Sequence, residues 1–256
     1  GEDSSHPTFC CSFLSYPSGT KMEKSAEKYR SFIHRDGEEE TIWRHDAPPN
    51  YDDVNKLFEE GRTQIWPEGS LEEKVQNLVK TWEMEMFHKV RPQDFKSIDP
   101  AKYTFSLNGR RALTLEEKFK VGGGYNSLLQ TSLPENFRLY DPAVETVESA
   151  HRAFAAAFPR GFALEVVKVF SGAPVIVLKF RHWGFMEGPF MGHAPTGQMV
   201  ELYGIQILEV DDRMKIVKVE FFYDRGELLS NLTKGSTVEK MEEPGCPFLK
   251  NRGDLK

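Results

Sequence analysis

Three apolar-rich runs, 175–183, 199–210 and 215–223, stand in the C-terminal half of the chain, separated by two breaks of turn residues. The first break, Gly184 to Gly197, carries four glycines and two prolines, which is loop chemistry. The second, Asp211-Asp212-Arg213-Met214, has hairpin length. The pattern predicts an antiparallel meander, with 162–170 as a fourth strand. Upstream the apolar spacing changes to that of helices. Leu71, Val75, Leu78, Val79, Trp82 and Met86 form one stripe, opened by a Ser70–Glu73 capping box and closed before Pro92. Val54, Leu57 and Phe58 share a face in a helix expected over Asn50 to Arg62. Thr114 to Phe119 and Tyr125 to Leu129 are expected as short helices split by Gly122-Gly123-Gly124, and Ala143 to Phe158 as a helix stopped by Pro159. A sheet of this kind needs one face covered, and the helices are the natural cover.

Within the strands, alternation sorts side chains onto two faces. Ile176, Leu178, Phe180 and His182 share one, and Val175, Val177, Lys179, Arg181 and Trp183 the other. His182 thus ends an apolar row facing the interior. It is the candidate catalytic residue, a general acid–base with an ordinary pKa near neutrality, or else a core histidine bonded to a neighbour. Trp82, Met86, Tyr125, Tyr203, Phe185 and Phe221 are candidates to line a pocket between helices and sheet, suited to a flat hydrophobic ligand. The same residue types at these spacings also build plain cores. Glu83, Glu85 and His88 are expected on a solvated rim, and Asp224 as the cap of the turn leaving the last strand.

Composition narrows the classes. Of 256 residues 39% are apolar and 12% aromatic, enough for a sizeable core. A net charge of −6 and a pI near 5.7 argue against a nucleic-acid surface. No apolar run reaches membrane-span length, so no membrane partner is expected. Three cysteines, two of them adjacent, form no disulfide framework, which points to a reducing, cytoplasmic setting. There is no H-E-x-x-H or C-x-x-C, and Gly122-Gly123-Gly124 lacks the Lys-Ser/Thr of a phosphate loop. Neither metal nor cofactor is expected. One domain is expected over 28–232, with residues 28–66 wrapped on it as an elaboration. Residues 1–27 and 233–256 are expected to be loosely ordered.

Several stretches carry a family resemblance. Gly184, Gly188, Gly192, Pro195, Thr196 and Gly197, followed by a strand, an acidic turn, a K-I strand and Asp224, Leu228 and Leu229, resemble the SnoaL-like polyketide cyclase family. Segments 28–63, 66–94 and 245–251 resemble the pathogen-related proteins of plants more closely. The resemblance implies an α+β fold, a cone-shaped, curved, mostly antiparallel sheet wrapped around N-terminal helices, as in nuclear-transport-factor-2-like proteins. It also implies a stress or defence setting and a hydrophobic small-molecule ligand. The chain would be either a cofactor-free isomerase, cyclase or dehydratase or a binder without turnover. A homodimer through the outer sheet face is expected from the same resemblance. The aspartate that serves cyclases as base on the last strand falls on Phe221 here, which removes that base.

Overall fold

The computed structural model describes residues 27–34 and 37–237. Six strands form one sheet: β1 (Thr104–Leu107), β2 (Leu113–Thr114), β3 (Ala163–Ser171), β4 (Val175–Phe185), β5 (Met199–Val210) and β6 (Ile216–Tyr223). Their order is β2-β1-β6-β5-β4-β3. All neighbours are antiparallel except β1 and β6, which run parallel. Register shifts in β3, at 166–168 and 169–171, and near Val210 in β5 break the ladder locally, and such bulges bend a sheet. The helices are α1 (Asp52–Gly61), α2 (Leu71–His88), α3 (Leu115–Lys120), α4 (Gly123–Leu128), α5 (Val147–Ala157) and α6 (Arg225–Leu232). The fold is α+β, with the helices packed against one mostly antiparallel sheet, as the pattern predicts.

α2 is the central helix. Ser70 caps it by accepting from Glu73 N at 3.2 Å. The reciprocal arm of the expected box goes instead to Gly69, whose N–H donates to the Glu73 carboxylate. Val75, Val79, Trp82 and Met86 face the sheet and join its inner row in the main core. Leu71, expected in that stripe, is largely exposed. The opposite side of α2 is also covered. Met84 packs with Ile33, Trp43, Tyr51 and Val54, and Ser31 N donates to Thr81 Oγ1. Ten of the eighteen residues of α2 are therefore buried, more than one amphipathic stripe requires.

The second cover explains buried charges that the amphipathic pattern places in solvent. Glu85, expected on a rim, is fully buried. It accepts from Ser97 N at 2.7 Å, Lys96 N at 2.8 Å and Lys89 Nζ at 2.7 Å. Lys89 lies 3.0 Å from Glu38 as well. Such a charge is tolerated inside because both carboxylate oxygens accept hydrogen bonds and a lysine balances it.

The outer face of the sheet is partly closed by α1 and the strap after it. Leu57 and Phe58 pack on Trp183 and Ala163. Arg181 donates to Gly61 O at 2.9 Å, and Thr63 donates twice to Glu165 at 2.6 Å. The free edge of β3 is met by side chains: Val166 N donates to Gln76 Oε1, and Trp66 Nε1 donates to Val166 O. Trp183 and Arg181, which alternation places on the outer face, are buried there. Val175, Tyr203 and Phe222 remain exposed on that face.

Two expectations on α4 and β1 change. Gly123 and Gly124 lie inside α4 rather than before it. A Cβ at Gly124 would stand 2.6 Å from the Phe87 ring, so the glycine lets α4 press against α2. β1 and β2 form an unforeseen hairpin through Asn108-Gly109, both at positive φ. Of the segment 1–27 expected to be loosely ordered, all but Glu27 lies outside the described residues, as does the tail beyond Thr237. No described helix is long and apolar enough to cross a membrane.

Candidate functional site

A cavity of about 100 Å³ opens between the helices and the inner face of the sheet. α2 contributes Glu83, Phe87 and His88, α4 Tyr125 and Leu128, and α5 His151 and Phe154. His182 of β4, Leu202 of β5, Phe221 of β6 and Leu228 of α6 complete much of the wall. Tyr51 and Val54 reach it from the N-terminal cover. α6 is placed by Asp224, whose carboxylate caps it by accepting from Gly226 N at 2.8 Å and Glu227 N at 3.2 Å. A smaller void of about 20 Å³ shares Glu83, Phe87, Leu128, His182 and Phe221 with the cavity, and adds Trp82, Met86, Lys118 and Gln206.

Of the candidate residues, Tyr125, Phe221 and His182 line the cavity, while Trp82 and Met86 line the smaller void. Tyr203 and Phe185 do not belong with them. Tyr203 is paired with Arg181 in the β4–β5 register and is 46% exposed on the outer face. Phe185 packs beside Trp183 and Phe58 under the Arg160 guanidinium. Both sit an odd number of residues from an inward-facing position, so the strand turns them away. Trp82 is fixed by its indole N–H, which donates to Tyr103 Oη at 3.1 Å.

Polar groups converge on one wall. His182 Nε2 lies 3.7 Å from Glu83 Oε1, beyond direct hydrogen-bond length. The imidazole stacks on Phe162 with centroids 5.4 Å apart and an interplanar angle of 7°. Burial, then the nearby Lys80 charge, push the His182 pKa down to about 3, so it is neutral at pH 7. Burial pushes the Glu83 carboxyl up to about 7, against the opposing pull of Arg30 and Lys80. His151, across the cavity, is lowered to about 3 by burial and by Arg44 and His45. His88 is held well below the usual range by burial and its histidine neighbours. Among the described residues no group of three or more His, Cys, Asp or Glu is placed to hold a metal ion.

Glu83 and His88 thus stand on the cavity wall rather than on a rim. A signal for Glu83 exists in the sequence. It sits one turn after Val79 and one turn before Phe87, an acid in line between two apolar residues. His151 carries the same mark, one turn after Val147 and one turn before Ala155.

A mostly antiparallel sheet closed over helices, with an apolar cavity holding a few convergent polar groups, defines an α+β pocket fold. The chain is 55% identical over 230 residues to the pathogen-related protein of barley (Hordeum vulgare), covering 89% of this chain and 97% of that one. It belongs to the pathogen-related protein family. No family model matches the chain. Among solved structures, a protein from Jannaschia assigned to the SnoaL-like polyketide cyclases is 16% identical, with a TM-score of 0.35 over 67% of this chain and all of that one. An NTF2-like protein of Burkholderia thailandensis is 17% identical, with a TM-score of 0.30 over 55% of this chain and 83% of that one.

Proposed function

We propose that this pathogen-related protein holds a hydrophobic small molecule in the cavity and moves a proton on it without a cofactor, in an isomerisation, cyclisation or dehydration. The observation that carries the reading is Glu83, a carboxyl with a pKa of about 7 in an apolar wall, facing His182 across 3.7 Å. A group poised near the working pH is suited to both giving and taking a proton. The gap is too long for a direct bond, and a ligand oxygen set beside the pair can bond to both. His182 changes role with respect to its sequence-based assignment. A neutral imidazole with a pKa near 3 is a weak base, so Glu83 transfers the proton and His182 orients the ligand. Phe221 is apolar where related cyclases carry their base, and the base comes from α2 instead. Tyr125, Phe221, Trp82 and Met86 supply the apolar contact. A defence-associated role, a cytoplasmic location and a homodimer are proposed with it.

The test uses a panel of hydrophobic carbonyl and polycyclic compounds, with turnover read by mass spectrometry and binding by thermal shift. Glu83→Gln is expected to lower turnover by roughly 10²–10⁴-fold with binding retained. His182→Gln should act mainly on binding and orientation. Turnover that survives Glu83→Gln refutes the assignment. The alternative, a binder without turnover, rests on the predominantly apolar lining and is favoured if compounds bind and none is converted.

A further inference from the structure

The smaller void holds two polar groups that the proton-transfer reading does not use. Lys118 of α3 is buried, and among the described residues its amine makes one hydrogen bond, to Ser127 Oγ at 2.7 Å. Ser127 Oγ in turn donates to Gly124 O at 2.9 Å, so the hydroxyl is left to accept from the amine. No carboxylate pairs with Lys118 among the described residues. Its other close neighbour is the Phe105 ring, 4.6 Å from Nζ. Gln206, in the middle of β5, is buried, and among the described residues neither end of its side-chain amide meets a hydrogen-bond partner. Both residues line the void that Glu83, His182 and Phe221 share with the cavity.

Buried amides without partners are rare in folded proteins, and an unpaired buried lysine is rarer still. A void in front of both is where a ligand's polar atom would satisfy them. We propose that Lys118 is a nucleophilic amine that captures the carbonyl group of a hydrophobic aldehyde or ketone as an imine. Nζ attacks the carbonyl carbon, forming the C–N bond as the C=O π bond breaks, and one of its two protons passes to the carbonyl oxygen, which becomes the hydroxyl of a carbinolamine. Gln206 is the group able to hold that hydroxyl, as both donor and acceptor. Glu83 then protonates the hydroxyl, which leaves as water. The nitrogen loses its remaining proton to the Glu83 carboxylate, and C=N forms. Amine and carbonyl yield imine and one water, with no oxidant or reductant. Burial also lowers the Lys118 pKa to about 7, which leaves the free base abundant at neutral pH. The inference rests on the cavity being a ligand site as proposed above, but not on its being catalytic.

The full chain is incubated at pH 7 with cinnamaldehyde and sodium cyanoborohydride, which fixes imines as stable amines. Adducts are counted by intact mass and located by peptide mapping. Cinnamyl alcohol, which cannot form an imine, is titrated separately by tryptophan fluorescence to report on the cavity alone. One adduct at Lys118 is expected, formed roughly 100-fold faster than at surface lysines, whose pKa near 10.4 leaves little free base. Lys118→Met should lose the adduct and still bind the alcohol. Alcohol binding without Lys118 labelling overturns the inference and spares the pocket. Labelling spread over surface lysines and the N-terminal amine overturns it as well. Failure of both the aldehyde and the alcohol overturns the pocket and the inference together. Mapping of the wild-type chain decides the question even if Lys118→Met does not fold.

Discussion

Individual side chains show where alternation suffices and where it does not. His182 and Phe221 face inward as the period of two requires. Tyr203 and Phe185 obey the same rule and face outward, so their exclusion from the cavity was legible from parity against Leu202 and His182. The charges were harder to place. Glu83, Glu85, Lys118 and Gln206 are polar residues in or beside apolar stripes, and such residues default to solvent unless a second layer covers them. Nothing local announces that layer. Trp82→Ala is expected to cost about 3–5 kcal/mol, because the indole is buried and its N–H is bonded to Tyr103. Near-neutral stability in urea would contradict that. Turnover should follow an ionisation near pH 7 belonging to Glu83. The pH–rate profile of Glu83→Gln should lose that limb, and an unchanged profile would place the ionisation elsewhere.

Long elements with their own signals, α2 and the strands β3 to β6, were readable from pattern and turn chemistry. Short ones were not. β1 has four residues and β2 two, too few for a period to register, although the Asn108-Gly109 pair between them is a hairpin signature. The function of α1 as a cover for the outer sheet was also hidden, since its apolar face does not state what it meets. Phe58→Ala tests that contact. Phe58 is fully buried, with its ring centroid 6.3 Å from that of Trp183, so a loss of about 3–5 kcal/mol is expected. Trp183 emission should shift to the red while ligands of the inner cavity still bind. An unshifted spectrum would mean that α1 does not shield Trp183.

Across the whole molecule, titration should make acid the weak side. His151 and His182 fall from 6.5 to about 3 on folding. The unfolded chain therefore binds more protons between these values, and stability declines as pH drops below about 6.5. Glu83 opposes this, because its pKa rises from 4.5 to about 7 and folding favours its protonated form. Its part of the stability is present below pH 4.5 and lost as pH rises through 7. Two downward shifts of that size outweigh one upward shift. The melting temperature should fall from pH 7 to pH 4, more steeply in Glu83→Gln. A flat profile would show that the histidines are hydrated in the folded state. The proposed homodimer must use what α1 leaves open, the region of Val175, Tyr203 and Phe222. Light scattering at micromolar concentration should give twice the chain mass, and a monomer mass would remove the proposal.

The strap after α1 bears on the order in which the chain can assemble. Gly61 accepts from Arg181, 120 residues later, and Thr63 donates to Glu165, 102 residues later. During synthesis from the N-terminus, residues 51–66 leave the ribosome well before the strands they rest on exist. Leu57 and Phe58 must wait without Trp183 while more than half of the described chain is made. Contacts of this sequence separation form slowly, and an apolar helix waiting for them is open to the wrong neighbours. This early segment is therefore among the last to be seated, and nascent chains ending before β4 should keep it accessible to protease.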